Sequence, residues 1–484
     1  MPTGYLPADG IDGVVVHLAA TYSSLCDLIT LPEQSVEHRT IHAIKIANGA
    51  GSSRRAVLLI GGVHARELVN PDLLVTFATH LLQAYTSGAG LSFGPVSYTP
   101  GLVQLIVNAM DLIICPLVNP DGRAFVQSPG GDPMWRKNRN LNPGQPCKGV
   151  DLNRNYDLLW SSGIGTSASA CSDVFKGAAA FSEPETRNVR HLLDTYPNIM
   201  CMADVHSYSE LVLYPWGDDD NQSSDPSMNF ANPAFDGQRG THGTGYSEYI
   251  DSADASWFTT TGKAVRDAIA GVRNRTYTVE QGILLYPTSG TVHDYAYSRH
   301  LVNAANRKVL AFTIETAREF QPVWAEAAQV IDEVSSGLVA LLRSAICAAD
   351  SVLTGTSAAA HLDSLRALRD EVLQGSAAGR KLVALFEVHG AELAQLTAQG
   401  VVKQSEVVKL VNSWEKAARA KHGFATAPVP AAVVDSGLKL LARAADGATP
   451  AFRRAAARMQ RDLVEFRDRT VSEGLAVLMK KRRG

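Results

Sequence analysis

Two side chains of this sequence have the types and the spacing of a metal clamp. His64 and Glu67 lie three residues apart in the segment GGVHARELVNPD, directly after the apolar run AVLLI at 56–60. An imidazole and a carboxylate held on a strand-to-helix turn can ligate a metal ion when a third ligand comes from elsewhere. The same spacing recurs at His389 and Glu392, inside an Ala- and Leu-rich helical stretch with no obvious third ligand. We expect that second pair to be an ordinary solvent-facing part of a helix.

Further candidate residues lie in apolar runs or in loop-like segments. His206 falls in the strand-like run MADVHSYSELVLYPWG, where a lone histidine is usually a core residue. Glu315 falls in VLAFTIE, where a buried carboxylate is unfavourable unless it is paired, for example with Arg318, or has a function. Four more polar side chains lie in loops, where such residues are usually surface groups: Arg136, Asn153, Arg154 and Tyr286.

The elements that must position these residues alternate between two patterns. Short apolar runs at 56–60, 112–118 and 309–315 predict β-strands, and the stretch 71–85, which starts with a proline, predicts a helix. Strands that alternate with helices favour an α/β domain. We expect a mixed, mostly parallel central sheet flanked by helices.

The C-terminal part of the chain has a different texture. Residues 350–484 show helical spacing throughout and carry 21 Lys and Arg against 14 Asp and Glu, whereas residues 1–349 carry 24 against 34. We therefore predict an α/β domain at 1–349 and a small all-α, Ala- and Arg-rich module of unknown role at 350–484.

Composition excludes several classes of protein. With 45 Lys and Arg against 48 Asp and Glu, the formal net charge of −3 gives no overall attraction to nucleic acid or to membranes. No apolar run reaches the ~18 residues of a transmembrane helix. The six cysteines are too few for a disulfide scaffold and form no CxxC pattern. The basic end of the chain, with 10 Lys and Arg against 4 Asp and Glu in 451–484, is expected to be a solvated helical face rather than a nucleic-acid site.

Six motifs in the same order make the sequence resemble one known family. From about Tyr5 to Ala340 the chain resembles the zinc metallocarboxypeptidases of the pancreatic carboxypeptidase A/B type. Each motif is weak alone, but their order along the chain is not expected by accident. The motifs are HARE, VNPDG, MWRKNR, GVDLNRNYD, DVHSYSELVLYP and FTIE.

The resemblance implies one Zn²⁺ per chain and names its ligands. His64, Glu67 and His206 would supply two imidazoles and a carboxylate, the set that is known for carboxypeptidase A. Such a site keeps one position open for water and acidifies it. Asp151 matches the family's carboxylate that orients the first zinc histidine, here His64.

The resemblance also implies roles in catalysis and in substrate binding. Glu315 would be the general base, and Arg136 would face the developing oxyanion. Arg154 would bind the free C-terminal carboxylate of a peptide as a planar fork, with Asn153 adding a hydrogen bond and Tyr286 closing over it. This clamp would explain why the last residue of a peptide or protein is removed. Positions that match the neighbouring subsites are Arg66, Ser207 and Tyr208.

Two features of the family pattern leave choices open. The position that selects the C-terminal side chain, seven residues after Tyr286, falls on His293, which favours neither basic nor apolar substrates. Cys147 and Cys171 fall where related enzymes carry a disulfide that would close a loop of ~25 residues. We prefer free thiols at these two positions if the protein is intracellular, since cytosolic thiols stay reduced.

The N-terminal segment bears on whether the protein is secreted or stays in the cytoplasm. MPTGYLPADGIDGVVVHLAATY lacks a basic region before its apolar run, so we expect no secretory signal and, from sequence, a cytoplasmic protein. The resemblance would instead suggest an extracellular enzyme. Many relatives also carry an inhibitory pro-domain, whereas here the family motifs begin almost at once.

Three functions fit the motifs. The first is a zinc carboxypeptidase that hydrolyses the C-terminal bond of peptides, and the second is a related hydrolase of cell-wall peptides, which also end in carboxylates. The third is an inactive module that binds peptide tails. An inactive module predicts a missing ligand or base, and none is missing from this sequence.

Overall fold

The structure, a computed structural model, describes most of the chain. The described residues are 4–49, 54–346, 368–373, 376–419 and 427–481, together with 353, 356 and 365. The chain divides into two compact units, Met1–Leu342 and Arg343–Gly484. The domain boundary predicted between 349 and 350 lies outside the described residues.

An eight-stranded sheet is the centre of the first unit. Its strand order is β1-β2-β6-β3-β7-β12-β8-β11, and two short ribbons, β4–β5 and β9–β10, lie apart from it. The β6–β3, β3–β7, β7–β12 and β8–β11 pairs are parallel, whereas the β1–β2, β2–β6 and β12–β8 pairs are antiparallel. The predicted mixed, mostly parallel sheet is confirmed. The strands are β1 Cys26–Thr30, β2 His42–Ile46, β3 Arg55–Gly61, β4 Leu91–Phe93, β5 Val96–Tyr98, β6 Met110–Cys115, β7 Ile199–Ser207, β8 Leu211–Tyr214, β9 Asn221–Gln222, β10 Glu248–Tyr249, β11 Thr278–Gln281 and β12 Leu310–Thr316.

The helices of this unit flank the sheet, as expected for strands with continuous apolar runs. Every residue of β3, β6 and β7 is buried, which requires cover on both faces of the sheet. The α-helices are α1 Ala8–Thr21, α2 Val69–Ser87, α3 Pro100–Ala109, α4 Pro120–Gln127, α5 Pro184–Thr195, α6 Ser252–Arg273, α7 Gly282–Leu285, α8 Val292–Val302 and α9 Trp324–Ala345.

Two sequence predictions differ from the structure at their ends. The strand predicted over 112–118 ends at Cys115, because Pro116 has no N–H to donate to the ladder. The helix predicted from Pro71 begins two residues earlier, at Val69. Pro71 remains in its first turn, where a backbone N–H has no acceptor within the helix.

Three parallel strands position the residues singled out by the sequence. β3, β7 and β12 are neighbours, so their carboxyl ends and the loops that follow meet at one edge of the sheet. In the β7–β12 ladder, His206 and Glu315 are register partners, and so are Asp204 and Thr313. Because side chains alternate along a strand, these four lie on the same face of the sheet.

The second unit is helical over the part that is described. One of its cores joins Val434, Phe466 and Leu475, and a second joins Leu396 and Phe452. Its α-helices are α10 Ala377–Ala398, α11 Gln404–Arg419, α12 Ala431–Asp446, α13 Pro450–Leu463 and α14 Val471–Lys481. No helix in the described ranges of either unit has both the length and the apolar character needed to cross a bilayer.

The expectation of a plain solvent-facing pair at His389 and Glu392 is wrong. The His389 ring packs edge-on against Phe452 at 5.5 Å, which removes part of it from solvent. Glu392 accepts hydrogen bonds from the backbone N–H and the hydroxyl of Thr449, at 2.7 and 3.0 Å. Thr449 is the N-cap of α13, so the pair joins α10 to α13. The sequence pattern did not reveal this partner 57 residues away.

Candidate functional site

The side chains of His64, Glu67 and His206 converge at the carboxyl end of the sheet. His64 Nδ1 lies 2.7 Å from Glu67 Oε1, His206 Nδ1 lies 3.0 Å from Glu67 Oε2, and the two Nδ1 atoms are 3.0 Å apart. All three residues are buried, and their ligand atoms lie within 4.8 Å of one another. Within the described ranges this is the one group of His, Cys, Asp and Glu side chains that could hold a metal ion.

A carboxylate lies behind each imidazole. His64 Nε2 is 3.1 Å from Asp151 Oδ1, and His206 Nε2 is 2.5 Å from Asp204 Oδ2. Each carboxylate favours the tautomer with its proton on Nε2, which leaves the Nδ1 lone pair facing Glu67. Two neutral nitrogens and one carboxylate oxygen that face a common point form a donor set that fits Zn²⁺.

The charges around this point favour a cation. Burial alone raises the pKa of Glu67, but the two imidazoles lower it below its ordinary value. Burial alone lowers the pKa of His206, but the carboxylates of Asp204 and Glu67 raise it well above its ordinary value. The carboxylates around the two imidazoles therefore create a strong preference for positive charge.

Glu315 is a carboxylate without a pairing partner beside this cluster. It lies in register with His206, and it forms no hydrogen bond or ion pair with any residue that the structure describes. Arg318, the partner suggested by the sequence, pairs instead with Glu210 at 3.1 Å. Burial raises the pKa of Glu315 to about 8, Glu67 adds to the rise, and His206 and Arg136 oppose it.

Arg136 is held on the far side of Asp151. Its Nε and Nη2 atoms donate to Asp151 Oδ2 at 3.0 and 2.9 Å. Burial alone raises the pKa of Asp151, but Arg136 and His64 lower it well below its ordinary value. Asp151 thus fixes the orientation of both His64 and Arg136.

A short 3₁₀ turn, Leu152–Arg154, presents two further predicted residues. The backbone N–H of Asn153 donates to Asp151 Oδ1, and the Asn153 Oδ1 atom accepts from the N–H of Val292 at 2.9 Å. Arg154 donates Nε to Gly165 O and Nη1 to Asn153 O. These bonds fix the guanidinium plane and leave Nη2 and the second Nη1 hydrogen for a ligand.

Tyr286 lies beside Arg154 at the surface. Its ring centroid is 5.8 Å from Arg154 Cζ, and the residue is 45% exposed. The side chain follows the single turn of α7 and is not locked in the core. An exposed phenol next to the arginine fork has room to move over a ligand.

Two of the predicted subsite residues, Arg66 and Tyr208, pack against Phe320. The Arg66 guanidinium stacks 4.1 Å from the Phe320 ring centroid, and the Tyr208 ring packs on the same side chain at 4.8 Å. Ser207 donates its backbone N–H to Glu67 Oε2 at 3.1 Å. Sequence reasoning did not find Phe320, because a single aromatic residue after a strand has no distinctive spacing.

His293 is buried near the base and the predicted clamp. Its Nδ1 lies 3.0 Å from Thr313 Oγ1, and Thr313 precedes Glu315 by two residues in β12. The preceding residue, Val292, bonds Asn153. His293 therefore lies between the strand that carries Glu315 and the turn that carries Arg154.

Cys147 and Cys171 form a disulfide, with their Cα atoms 4.9 Å apart. The disulfide that the family resemblance left possible at these positions is present in this structure, and the preference for free thiols applied only to an intracellular protein. The bond joins the segment before Asp151 to the loop that contains Asp173, the ion-pair partner of Arg66 at 3.5 Å. It ties together two loops next to the site.

Asp204 is the site residue that sequence reasoning missed. It is fully buried, and its Oδ1 atom has no hydrogen-bond partner. The signal was present, since Asp204 precedes His206 by two positions, which is one strand repeat, and side chains at that spacing share a face. Attention to the DVH spacing within a predicted strand would have identified it.

A comparison with models of protein families shows which family the chain belongs to. The model described as zinc carboxypeptidase matches residues 11–336 of the chain. The chain belongs to the zinc carboxypeptidase family. The resemblance predicted from the six motifs is confirmed.

Individual relatives agree with this membership. Carboxypeptidase A4 of Mus musculus is 31% identical over 213 residues, which cover 44% of this chain and 47% of the relative. Carboxypeptidase B of Astacus astacus is 33% identical over 251 residues, which cover 50% of this chain and 75% of the relative. The crystal structure of carboxypeptidase A from Helicoverpa armigera is similar at a TM-score of 0.54 and 25% identity, covering 70% of this chain and 73% of that one. The matches span about half the length of the first curated relatives.

Asp204→Asn tests the carboxylate behind His206 in this member of the zinc carboxypeptidase family. The amide accepts a weaker hydrogen bond from Nε2–H and no longer favours that tautomer, so we expect Zn²⁺ affinity to fall about 10- to 100-fold. Competition with a chromophoric chelator measures the affinity without any substrate. Asp225→Asn, at an exposed position, is the matched control. Equal affinities of the two variants would show that Asp204 does not support the metal site.

Proposed function

We propose that this chain is a zinc-dependent carboxypeptidase that hydrolyses the C-terminal peptide bond of peptides and proteins. The observation that carries the proposal is the unpaired carboxylate of Glu315 in register with His206. A free base next to a metal-binding cluster is what hydrolysis requires, whereas a module that only binds tails has no need of one.

The His64–Glu67–His206 cluster would hold the metal ion. When bound there, Zn²⁺ supplies Lewis-acid polarisation of the scissile carbonyl and lowers the pKa of water. Asp151 and Asp204 keep the two imidazoles in the tautomer that ligation needs. The backbone N–H of Ser207 donates to Glu67 Oε2 and so holds the orientation of this carboxylate.

Glu315 is the proposed general base. Its carboxylate takes a proton from the attacking water and passes it to the amine of the leaving residue. Burial keeps the pKa of Glu315 raised, to about 8, so its conjugate acid forms readily at neutral pH. A nearby divalent cation favours the ionised form that must accept the proton.

Two arginines have separate tasks in the proposal. Arg136, whose orientation Asp151 fixes, faces the negative charge that develops on the carbonyl oxygen. Arg154 and Asn153 bind the carboxylate at the end of the substrate, since the guanidinium keeps a free fork after its two carbonyl bonds. Tyr286 covers the bound end. The clamp restricts cleavage to the last bond.

Glu315→Gln tests the proposed function and the base together. Purified protein should shorten a peptide by one residue in a mass spectrum, and a chelator should stop it. The glutamine variant has the same shape but cannot take a proton, so its kcat should fall at least about 10²-fold with Zn²⁺ content unchanged. Near-full activity of the variant would remove Glu315 from the mechanism. A wild-type protein that binds zinc and peptide but cleaves nothing would favour the tail-binding module.

Arg154→Ala tests the carboxylate clamp. For peptides with a free C-terminus, loss of the buried partner of a carboxylate should lower kcat/KM about 10²-fold, which corresponds to ~3 kcal/mol. C-terminally amidated peptides, already poor substrates, should lose much less. The control is Arg266→Ala, which removes an arginine on α6 that pairs with Asp267 and should change neither rate. Equal losses on both kinds of peptide would argue against the clamp.

A further inference from the structure

Four arginines lie on one exposed face of α13, the helix Pro450–Leu463. At about 100° per residue, their positions fall within an arc of about 160° around the helix axis, which they share with two alanines and the first proline. We call this surface the arginine face. Its members are Pro450, Ala451, Arg453, Arg454, Ala457, Arg458 and Arg461, all of them exposed. The face therefore presents four positive charges and no negative charge.

The opposite side of α13 fixes this face in place. Phe452 and Ala456 are buried in the same core as Leu396. Thr449 caps the helix by accepting the N–H of Phe452 at 3.3 Å, and the Thr449 hydroxyl donates to Glu392 at 3.0 Å. A membrane-bound amphipathic helix inserts its apolar side into the bilayer. In α13 that side is occupied by the core, so only the charged side is offered to a partner.

The acidic residues that follow in the sequence have other partners or are buried. Glu465 accepts a hydrogen bond from Lys481, and Glu473 accepts one from the backbone N–H of Thr470 at 2.8 Å. Asp462 lies on the buried side of α13. Within the described part of the chain, the side chains of the four arginines form no hydrogen bond or ion pair. They keep their donors for a partner from outside. The acids of residues 451–484 are Asp462, Glu465, Asp468 and Glu473.

A dense line of phosphates is the partner that fits these charges. A guanidinium can form two parallel hydrogen bonds with one phosphate, which the ammonium group of lysine does not. Arg453 and Arg461 are about 12 Å apart along the helix axis, and double-stranded DNA carries one negative charge per about 1.7 Å of its length. The small alanines between the arginines let a phosphate backbone approach the helix closely.

Other polyanions fit the arginine face less well. Single strands are bound largely through bases that stack on aromatic side chains, and none of the members of this face is aromatic. The major groove of duplex RNA is deep and narrow, whereas that of B-form DNA is wide enough for a helix. An acidic polypeptide carries its charges on flexible side chains, and the entropy lost when they are ordered opposes binding.

We propose that the arginine face docks this chain on double-stranded DNA through the phosphates and without sequence preference. The arginines replace counterions that are condensed on the duplex, and the release of these ions drives binding. With the arginines on phosphates, the face has no amide or hydroxyl side chain with which to read base edges. The expectation of a solvated face considered the charge of residues 451–484 as a whole, and a sum of charges does not show that four of them share one side of a helix.

Fluorescence anisotropy of labelled DNA duplexes tests this docking surface in the full-length protein. Two duplexes of unrelated sequence should bind with the same affinity. The slope of log K against log salt concentration should lie between about −3 and −4, as expected for four phosphate contacts. Duplex RNA, phosphatidylserine vesicles and polyglutamate should bind more weakly. The proposal is overturned if the DNA does not bind at low salt, or if any of these three ligands binds as tightly as the DNA.

Two double variants that remove the same charge identify the surface. Arg454→Gln with Arg461→Gln removes two arginines seven residues apart, so the affinity for DNA at low salt should fall at least about tenfold and the salt slope should lose about 2. The control is Lys409→Gln with Lys416→Gln, which removes two exposed lysines at the same spacing on α11 and should keep the wild-type affinity and slope.

The midpoint of thermal unfolding shows whether each double variant is folded. If the first one does not fold, Arg453→Gln with Arg458→Gln provides the same comparison. A folded arginine variant that binds DNA as tightly as the wild type, or a lysine control that loses as much affinity, would overturn the assignment to α13. Because no step of this test involves peptide hydrolysis, its outcome is independent of the function proposed above.

Discussion

The site depends on the convergence of two imidazoles and one carboxylate at the carboxyl end of three adjacent parallel strands. Like donors do not gather in a buried space without compensation, because each would lose its hydration. Here Asp151 and Asp204 contact the Nε2 atoms of His64 and His206. The Nδ1 atoms of both imidazoles are therefore directed at Glu67. The shared need of these groups for a cation explains the surrounding arrangement of charges.

Strand geometry extends this constraint to the other residues of the proposed catalytic site. β7 and β12 run parallel and in register, so His206 and Glu315 emerge side by side on one face of the sheet. One repeat earlier on the same face lie Asp204, which contacts the proposed ligand His206, and Thr313, which contacts His293. A slip of one residue in this ladder would turn all of these side chains to the opposite face.

The sequence predicted the family, the mixed sheet and the individual residues of the cluster, because ordered motifs and apolar runs are local signals. It could not predict pairings that depend on distant loops. The partner of Arg318 is Glu210 rather than Glu315, and the partner of Glu392 is Thr449. The state of Cys147 likewise depended on a loop 24 residues away. Asp204 was predictable from its spacing alone.

Anomalous X-ray scattering from crystals of the full-length protein, recorded on both sides of the zinc absorption edge, shows whether zinc binds at this cluster. We expect one zinc peak per chain, bonded to His64 Nδ1, His206 Nδ1 and Glu67 at about 2.0–2.2 Å. A zinc peak bound elsewhere, or zinc-soaked crystals with no peak among these three side chains, would contradict it.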